Sequence, residues 1–176
     1  GGAGFIGSHI VDAYLKEGLS VVIIDDLSTG DIRNVNPEAV FIRQDITNPE
    51  IEEVFKKFKF DVVNHHAAQI NVRRSLEDPI FDARVNIMGS LNLLTLSAKY
   101  NVKRFIFASS GGAIYGEPEK FPITEDLNPN PLSPYGVAKL VVENYIKVFA
   151  KLYNFAYVIL RYSNVYGPRQ ISKSEA

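Results

Sequence analysis

Two groups of residues in this chain have the types and spacings that can do chemistry. Tyr135-Gly136-Val137-Ala138-Lys139 sets a phenol and an ammonium four residues apart at a helix start, and so on one face. A lysine beside a tyrosine stabilises the phenolate and draws its pKa down from about 10, as a general base near neutral pH requires. Tyr-x-x-x-Lys is by itself a common surface pattern. Here it follows an apolar run that ends in Ser109-Ser110, with a proline-rich loop between. A serine hydroxyl at that place can hold the substrate hydroxyl that the tyrosine deprotonates.

The second group opens the chain. Gly1, Gly4 and Gly7 recur at spacing three and lead into a helical pattern at Ile6, Ile10, Val11, Tyr14 and Leu15. Such a turn lets bare backbone approach a pyrophosphate while the new helix points its positive end at the anion. The spacing is G-x-x-G-x-x-G rather than G-x-G-x-x-G, and no Gly-Lys-Ser/Thr follows, which excludes a P-loop. Asp25 stands 18 positions after Gly7, about where a dinucleotide site places the acid that takes the ribose hydroxyls. A carboxylate there repels a 2′-phosphate, so NAD is expected rather than NADP. Asp26 can share or take that role.

The elements that must position these groups alternate. Buried strands are expected at 21–24, 40–42, 60–64, 105–107 and 157–160. Helices are expected after the glycines, from Pro49 past Phe58, from Asp78-Pro79 to about Tyr100, and from about Tyr135 to Tyr153. Strands alternating with helices mean a Rossmann-like α/β fold: a doubly wound parallel sheet with helices on both faces. Asp25, Asp45, His65, Ser109, Ser110, Arg161 and Asn164 all fall at carboxyl ends of strands, the edge where such sheets bind ligands. The loop from Pro118 to Pro134 is too long for a connector and is expected to cover something.

At 176 residues one domain is expected, and an apolar fraction of 46% suffices for one core. A net charge of −1 points to neither nucleic acid nor membrane. The absence of cysteine excludes disulfides and thiolate metal sites. No run approaches the ~20 apolar residues of a membrane helix, and a cytoplasmic protein is the default. His65 and His66 alternate faces if they lie on a strand, and no third ligand stands at useful spacing, so no metal is expected. Arg73-Arg74 can reach a phosphate or face solvent.

Taken together, these motifs resemble the extended short-chain dehydrogenase/reductases of the NAD-dependent epimerase/dehydratase family. The resemblance runs through Gly1 to His9, Asp25-Asp26-Leu27, Asp45-Ile46, His65 to Gln69, Ser109 to Gly116, Pro134 to Lys139 and Arg161 to Gln170. Within that family the chain is most similar to 4-epimerases of UDP-hexoses. The resemblance implies that Gly1, Gly4 and Gly7 form the pyrophosphate turn, with Phe5 and Ile6 amides at the phosphates. Asp25 and Asp26, with Ser28, Thr29 and Gly30, would line the adenosine ribose pocket. Asp45 and Ile46 would flank the adenine, and Ala67, Ala68 and Gln69 the nicotinamide. Tyr135 would be the base, Lys139 its partner on the nicotinamide ribose, Ser110 the hydroxyl positioner and Asn164 a contact of the substrate diphosphate. Asn86 would support the catalytic region at the cofactor. Similar enzymes often form homodimers through the two long helices.

The chain departs from the family pattern at one place. One extra residue separates the serines from Tyr115-Gly116, so counting back from Tyr115 puts Gly111 where counting forward puts Ser110. A glycine has no hydroxyl, so Ser110 is expected, with Ser109 as the alternative. Gly111 and Gly112 also stand where dehydratases carry Asp-Glu and decarboxylases a comparable Glu, which leaves oxidation and re-reduction at C4. Other readings are a sibling enzyme acting on a different nucleotide sugar and a non-catalytic NAD-binding regulator. The chain begins inside the glycine turn and ends in an aperiodic polar stretch, so a segment of a longer chain is expected. In the 3-2-1-4-5-6 strand order the strand before Gly1 is central. Without it the strands near 21–25 and 61–65 keep an unpaired edge, and the segment alone is not expected to be a stable enzyme.

Overall fold

Apolar strand segments and amphipathic helices alternate as their periodicity requires. The computed structural model describes residues 1–171 and shows them in this order. Helix α1 (Phe5–Lys16) precedes β1 (Val22–Asp25) and β2 (Val40–Arg43), then α2 (Ile51–Phe58) and β3 (Val62–His65). Two short helices follow, α3 (Val72–Glu77) and α4 (Pro79–Ala83), then a π-helical turn at Arg84–Met88 that runs on into α5 (Gly89–Lys99). Strand β4 (Arg104–Ser110), the single turn α6 (Gly111–Ile114), the long α7 (Pro134–Tyr153) and β5 (Ala156–Tyr162) complete the fold.

All strand pairs are parallel. β1 pairs with β2, and β3, β4 and β5 form a second sheet with β4 in the middle. No ladder joins the two sheets, so β1 and β3 each keep one edge unpaired among the described residues, as expected for these two strands. Gly1 lies between their carboxyl ends. Its nitrogen donates to the Ile24 carbonyl at 2.5 Å, while a Cβ on it would meet the backbone of His66 and Ala67.

One hydrophobic core lies on the α2, α5 and α7 side of the sheets. It is built from Ile51 and Phe55, Leu93 and Leu94, Phe105 and Phe107, and Val142 and Ile146. Each such side chain contributes about 1.5–3 kcal/mol through burial. Phe105, Phe107 and Ser109 are the buried positions of β4, so the strand period turns Ser110 to the other face.

The expected 79–100 helix has the right extent but is broken in the middle. The π turn swings Asn86 inward, where it is 3% exposed, a local feature that often marks functional sites. Helices α3 and α6 are additions to the sequence reading. Of the loop expected to cover the site, Pro118 to Pro134, only Leu132 and Ser133 line the cavity, with Gly116 and Glu117 just before it, while residues 119–130 are exposed. No described helix is long and apolar enough to cross a membrane.

Candidate active site

The carboxyl ends of β1, β3, β4 and β5 open onto one cavity of about 790 Å³. At one end is the glycine turn, where Gly1, Gly4, Phe5, Ile6 and Gly7 line the wall. Added Cβ atoms show why glycine is needed here. At Gly7 one would sit 2.1 Å from the Gly1 oxygen, and at Gly1 2.4 Å from the Ala67 nitrogen. Helix α1 has no side-chain cap and no acidic residue in its first turn, so its amide end is left for an anion.

Asp25 closes this end. Its Oδ2 accepts from the Ala3 amide at 3.0 Å and its Oδ1 from the Leu27 amide at 2.9 Å, which fixes the carboxylate between turn and strand. Gly30 packs so closely that a Cβ would lie 2.7 Å from Asp25 Oδ1. Asp26, Ser28 and Thr29 line the rim beside it, with the Ser28 amide and hydroxyl both donating to Asp26 Oδ1. Asp45 and Ile46 form the next stretch of wall. Asp45 Oδ1 accepts from the Thr47 amide, and the Ile46 carbonyl is held by the Asn92 side chain.

At the other end α7 brings in the phenol and the ammonium. Ser133 caps this helix by accepting from the Gly136 amide at 3.1 Å, and Pro134 occupies its first turn. The Lys139 ammonium stands 5.6 Å from the Tyr135 ring centroid and donates to the Ala108 carbonyl at 2.9 Å. Ser110 caps α6 through the Ala113 amide and lines the cavity with Tyr135, close enough for its hydroxyl to lower the phenol's pKa. Ser109 instead donates to Glu143 at 2.6 Å, inside the protein. That separates the two serines. A Cβ at Gly111 would press at 3.1 Å on the Arg161 and Tyr162 carbonyls, so this position has no room to place a hydroxyl in the site. Ala67, Ala68 and Gln69 line the wall between the two ends, and Asn164 stands across from Gly112.

The electrostatics differ from the sequence expectation. Burial pushes the Tyr135 phenol up to about 12, against the lowering influence of the Ser110 hydroxyl, and the nearby Asp82 carboxylate adds to the rise. Burial likewise brings the Lys139 ammonium down to about 8, with Asp82 acting against the fall. Lys139 therefore does not by itself bring the phenol into the range of a neutral-pH base. Its ammonium is turned to the Ala108 carbonyl, and desolvation of the phenol is the larger effect.

The NAD dependent epimerase/dehydratase family matches residues 1–176. The chain belongs to that family. It is 51% identical over 176 residues to a protein of Methanocaldococcus jannaschii named a putative UDP-glucose 4-epimerase, covering 100% of this chain and 58% of that one. Among solved structures it is similar to the UDP-glucose 4-epimerase of Thermotoga maritima with UDP-glucose. There the identity is 50% and the TM-score 0.97, over 100% of this chain and 58% of the other. The Thermus thermophilus UDP-glucose 4-epimerase in complex with NAD gives 47% identity and a TM-score of 0.96, over 99% of this chain and 57% of that one. The chain thus spans rather more than half the length of these relatives.

Of the site residues read from the family pattern, Asn86 alone does not line the cavity. Its Oδ1 accepts from the Gln69 amide, and its Nδ2 donates to the Gln69 carbonyl and to Asp82 Oδ1. It braces the 67–69 wall from behind. Gln69 also donates to Asp82 Oδ1, leaving the buried Oδ2 without a partner among the described residues. Asp82 escaped the sequence reading because it is an ordinary acidic residue in a helix. His65 is buried against Ser90 at 2.9 Å, whereas His66 lines the cavity and meets the Tyr162 hydroxyl at 3.2 Å. Burial, with Lys139 adding to it, brings His66 down to about 4. Among the described residues no three metal-ligating side chains converge. Arg74 lies over the Phe81 ring at 4.0 Å, at the cavity wall.

Proposed function

We propose that this chain is the dinucleotide-binding and catalytic part of a sugar-nucleotide 4-epimerase that interconverts UDP-glucose and UDP-galactose with NAD. The observation that supports this reading best is the single cavity joining the Gly1–Gly7 turn and Asp25 to Ser110, Tyr135 and Lys139. The residues present fit the dinucleotide. A side chain at Gly1 or Gly7 would destroy the cradle, the uncapped end of α1 suits a pyrophosphate, and Asp25 suits a ribose diol. Gly1, Gly4, Gly7 and the Phe5 and Ile6 amides would hold the phosphates, Asp25 the adenosine ribose, and Lys139 the nicotinamide ribose.

Ser110 holds the sugar 4′-hydroxyl beside Tyr135, and the Tyr135 phenolate takes its proton. Lys139 supports the phenolate electrostatically from the same helix face. When bound, the oxidised dinucleotide would supply a hydride acceptor for C4 and positive charge that draws the phenol down, and inversion requires the 4-keto sugar to rotate so that the hydride returns to its other face. Asn164 would meet the substrate diphosphate. Gly111 and Gly112 offer no carboxyl group, and Glu117, at this end of the cavity, lies exposed on the loop, so elimination lacks a held acid and base.

The same reading includes a homodimer. Helix α7 exposes an apolar stripe at Val137, Tyr145, Val148 and Leu152, at helical spacing, with exposed Met88 on the π turn packed against that helix. The test of the whole reading is to incubate the full-length protein with UDP-galactose and a panel of other UDP-sugars, then assay for C4 epimers. UDP-glucose formed from UDP-galactose is the expected result. No C4 inversion of any UDP-hexose would refute it.

A further inference from the structure

Glu143 follows Lys139 by four residues, as Lys139 follows Tyr135, so all three lie on one face of α7. Glu143 is 1% exposed, and a buried carboxylate needs partners for both oxygens. Its Oε1 accepts from the Ser109 hydroxyl at 2.6 Å and from Arg161 Nε at 2.9 Å, and its Oε2 from Arg161 Nη2 at 2.6 Å. The remaining arm of Arg161 donates to the Tyr115 hydroxyl at 2.5 Å. This one carboxylate therefore ties α7 to β4 at the residue before Ser110. It also ties α7 to β5 three residues before Asn164, and through Tyr115 to the start of the loop at the cavity mouth.

We propose that Glu143, with Arg161, Ser109 and Tyr115, is the positioning device of the site: it sets the placement of Tyr135 against Ser110 by locking α7 against β4 and β5. This rests on the epimerase reading only for its kinetic consequence. The ion pair is not needed to bury α7, which is already anchored by Val142 and Ile146 on its core side. Its geometry is bidentate, the arrangement that fixes orientation as well as distance. Misplacing reacting groups by about 1 Å can cost about 100-fold in rate.

The test uses the full-length, NAD-loaded protein with Glu143→Gln, Arg161→Lys and Ser109→Ala. The expected result is a fall in kcat of about 10- to 100-fold with KM nearly unchanged, largest for Glu143→Gln and smallest for Ser109→Ala. A second readout needs no substrate: the titration of Tyr135, followed by carbon-13 NMR of labelled tyrosine and assigned by its loss in Tyr135→Phe. Its midpoint should rise by about one unit as the Ser110 hydroxyl moves away from the phenolate. A purely structural ion pair would lower the melting temperature and leave both readouts in place below melting. If Glu143→Gln does not fold, the other two variants decide the matter. Unchanged kcat and an unchanged Tyr135 midpoint in every variant that folds would overturn the proposal. If no UDP-sugar is turned over but the Tyr135 midpoint still moves, the epimerase reading fails and the positioning role stands.

Discussion

Alanine substitutions at Gly7 and Gly4 should separate the two demands made on the glycine turn. A Cβ at Gly7 would lie 2.1 Å from the Gly1 oxygen and 3.0 Å from its carbonyl carbon. Both are backbone atoms, so the turn itself must move by about 1 Å or more to restore contact distance. Overpacking of this kind costs about 1–3 kcal/mol, and each ~1.4 kcal/mol is tenfold in an equilibrium. Gly4 is different. Its φ of −77° suits alanine, and its Cβ would meet only the Gly1 oxygen, at an ordinary 3.4 Å, while lining the cavity. In the full-length protein stripped of dinucleotide, Gly7→Ala should lower the melting temperature and Gly4→Ala should leave it unchanged. In calorimetric titration with NAD, both should bind about 10-fold or more weakly, Gly7→Ala because the cradle is displaced and Gly4→Ala because its methyl occupies the pyrophosphate's approach. Unchanged NAD affinity in both variants would refute the placement of the cofactor at this turn. Equal destabilisation by both would refute the packing argument.

Lys139 and its neighbours give further predictions. Burial holds its ammonium at about 8 rather than 10.5, so the folded protein binds fewer protons than the unfolded chain between those values. Stability without cofactor should therefore rise with pH across that window, the desolvation penalty being fully present below about pH 8. Lys139→Met should raise stability near neutral pH by about 3 kcal/mol and remove the slope while abolishing turnover, as denaturant titrations at several pH values would show. A methionine variant that keeps the slope contradicts this. Tyr135, at about 12 in the fold, should give the opposite slope between about pH 10 and 12, absent in Tyr135→Phe. Asp82→Asn removes the carboxylate that holds the lysine up, so Lys139 should acylate faster at neutral pH; an unchanged rate would exclude that influence. Leu152→Glu, at a 68% exposed apolar position on α7, should shift the full-length protein from dimer to monomer in analytical ultracentrifugation, and a persistent dimer would remove α7 from the interface.

Local signals in the sequence brought out most of the residues that line the candidate site. The glycine spacing, Asp25 at a strand end and the Tyr135/Lys139 pair each depend on a few adjacent residues, and the structure brings them to one cavity. Counting set Ser110 against Gly111 and left Ser109 as an alternative; the alternation of β4 turns Ser109 inward to Glu143 and Ser110 to the other face. What failed depended on contacts distant in sequence. The π turn around Asn86 goes with its bonds to Gln69 and Asp82, which no helical periodicity announces. The rise of the Tyr135 pKa follows from burial, which charge spacing cannot report. Glu143 left a trace as the next residue on the Tyr135–Lys139 face. Its partners Ser109 and Arg161, 34 and 18 residues away, are visible only in the fold.

The proposed inversion of C4 uses a hydride that leaves and returns within this cavity. Feeding the full-length protein UDP-galactose carrying deuterium on C4, in ordinary water, tests it directly. UDP-glucose with the deuterium retained on C4 is the expected product, with none from Tyr135→Phe. UDP-glucose whose C4 deuterium has been replaced by solvent hydrogen would contradict it.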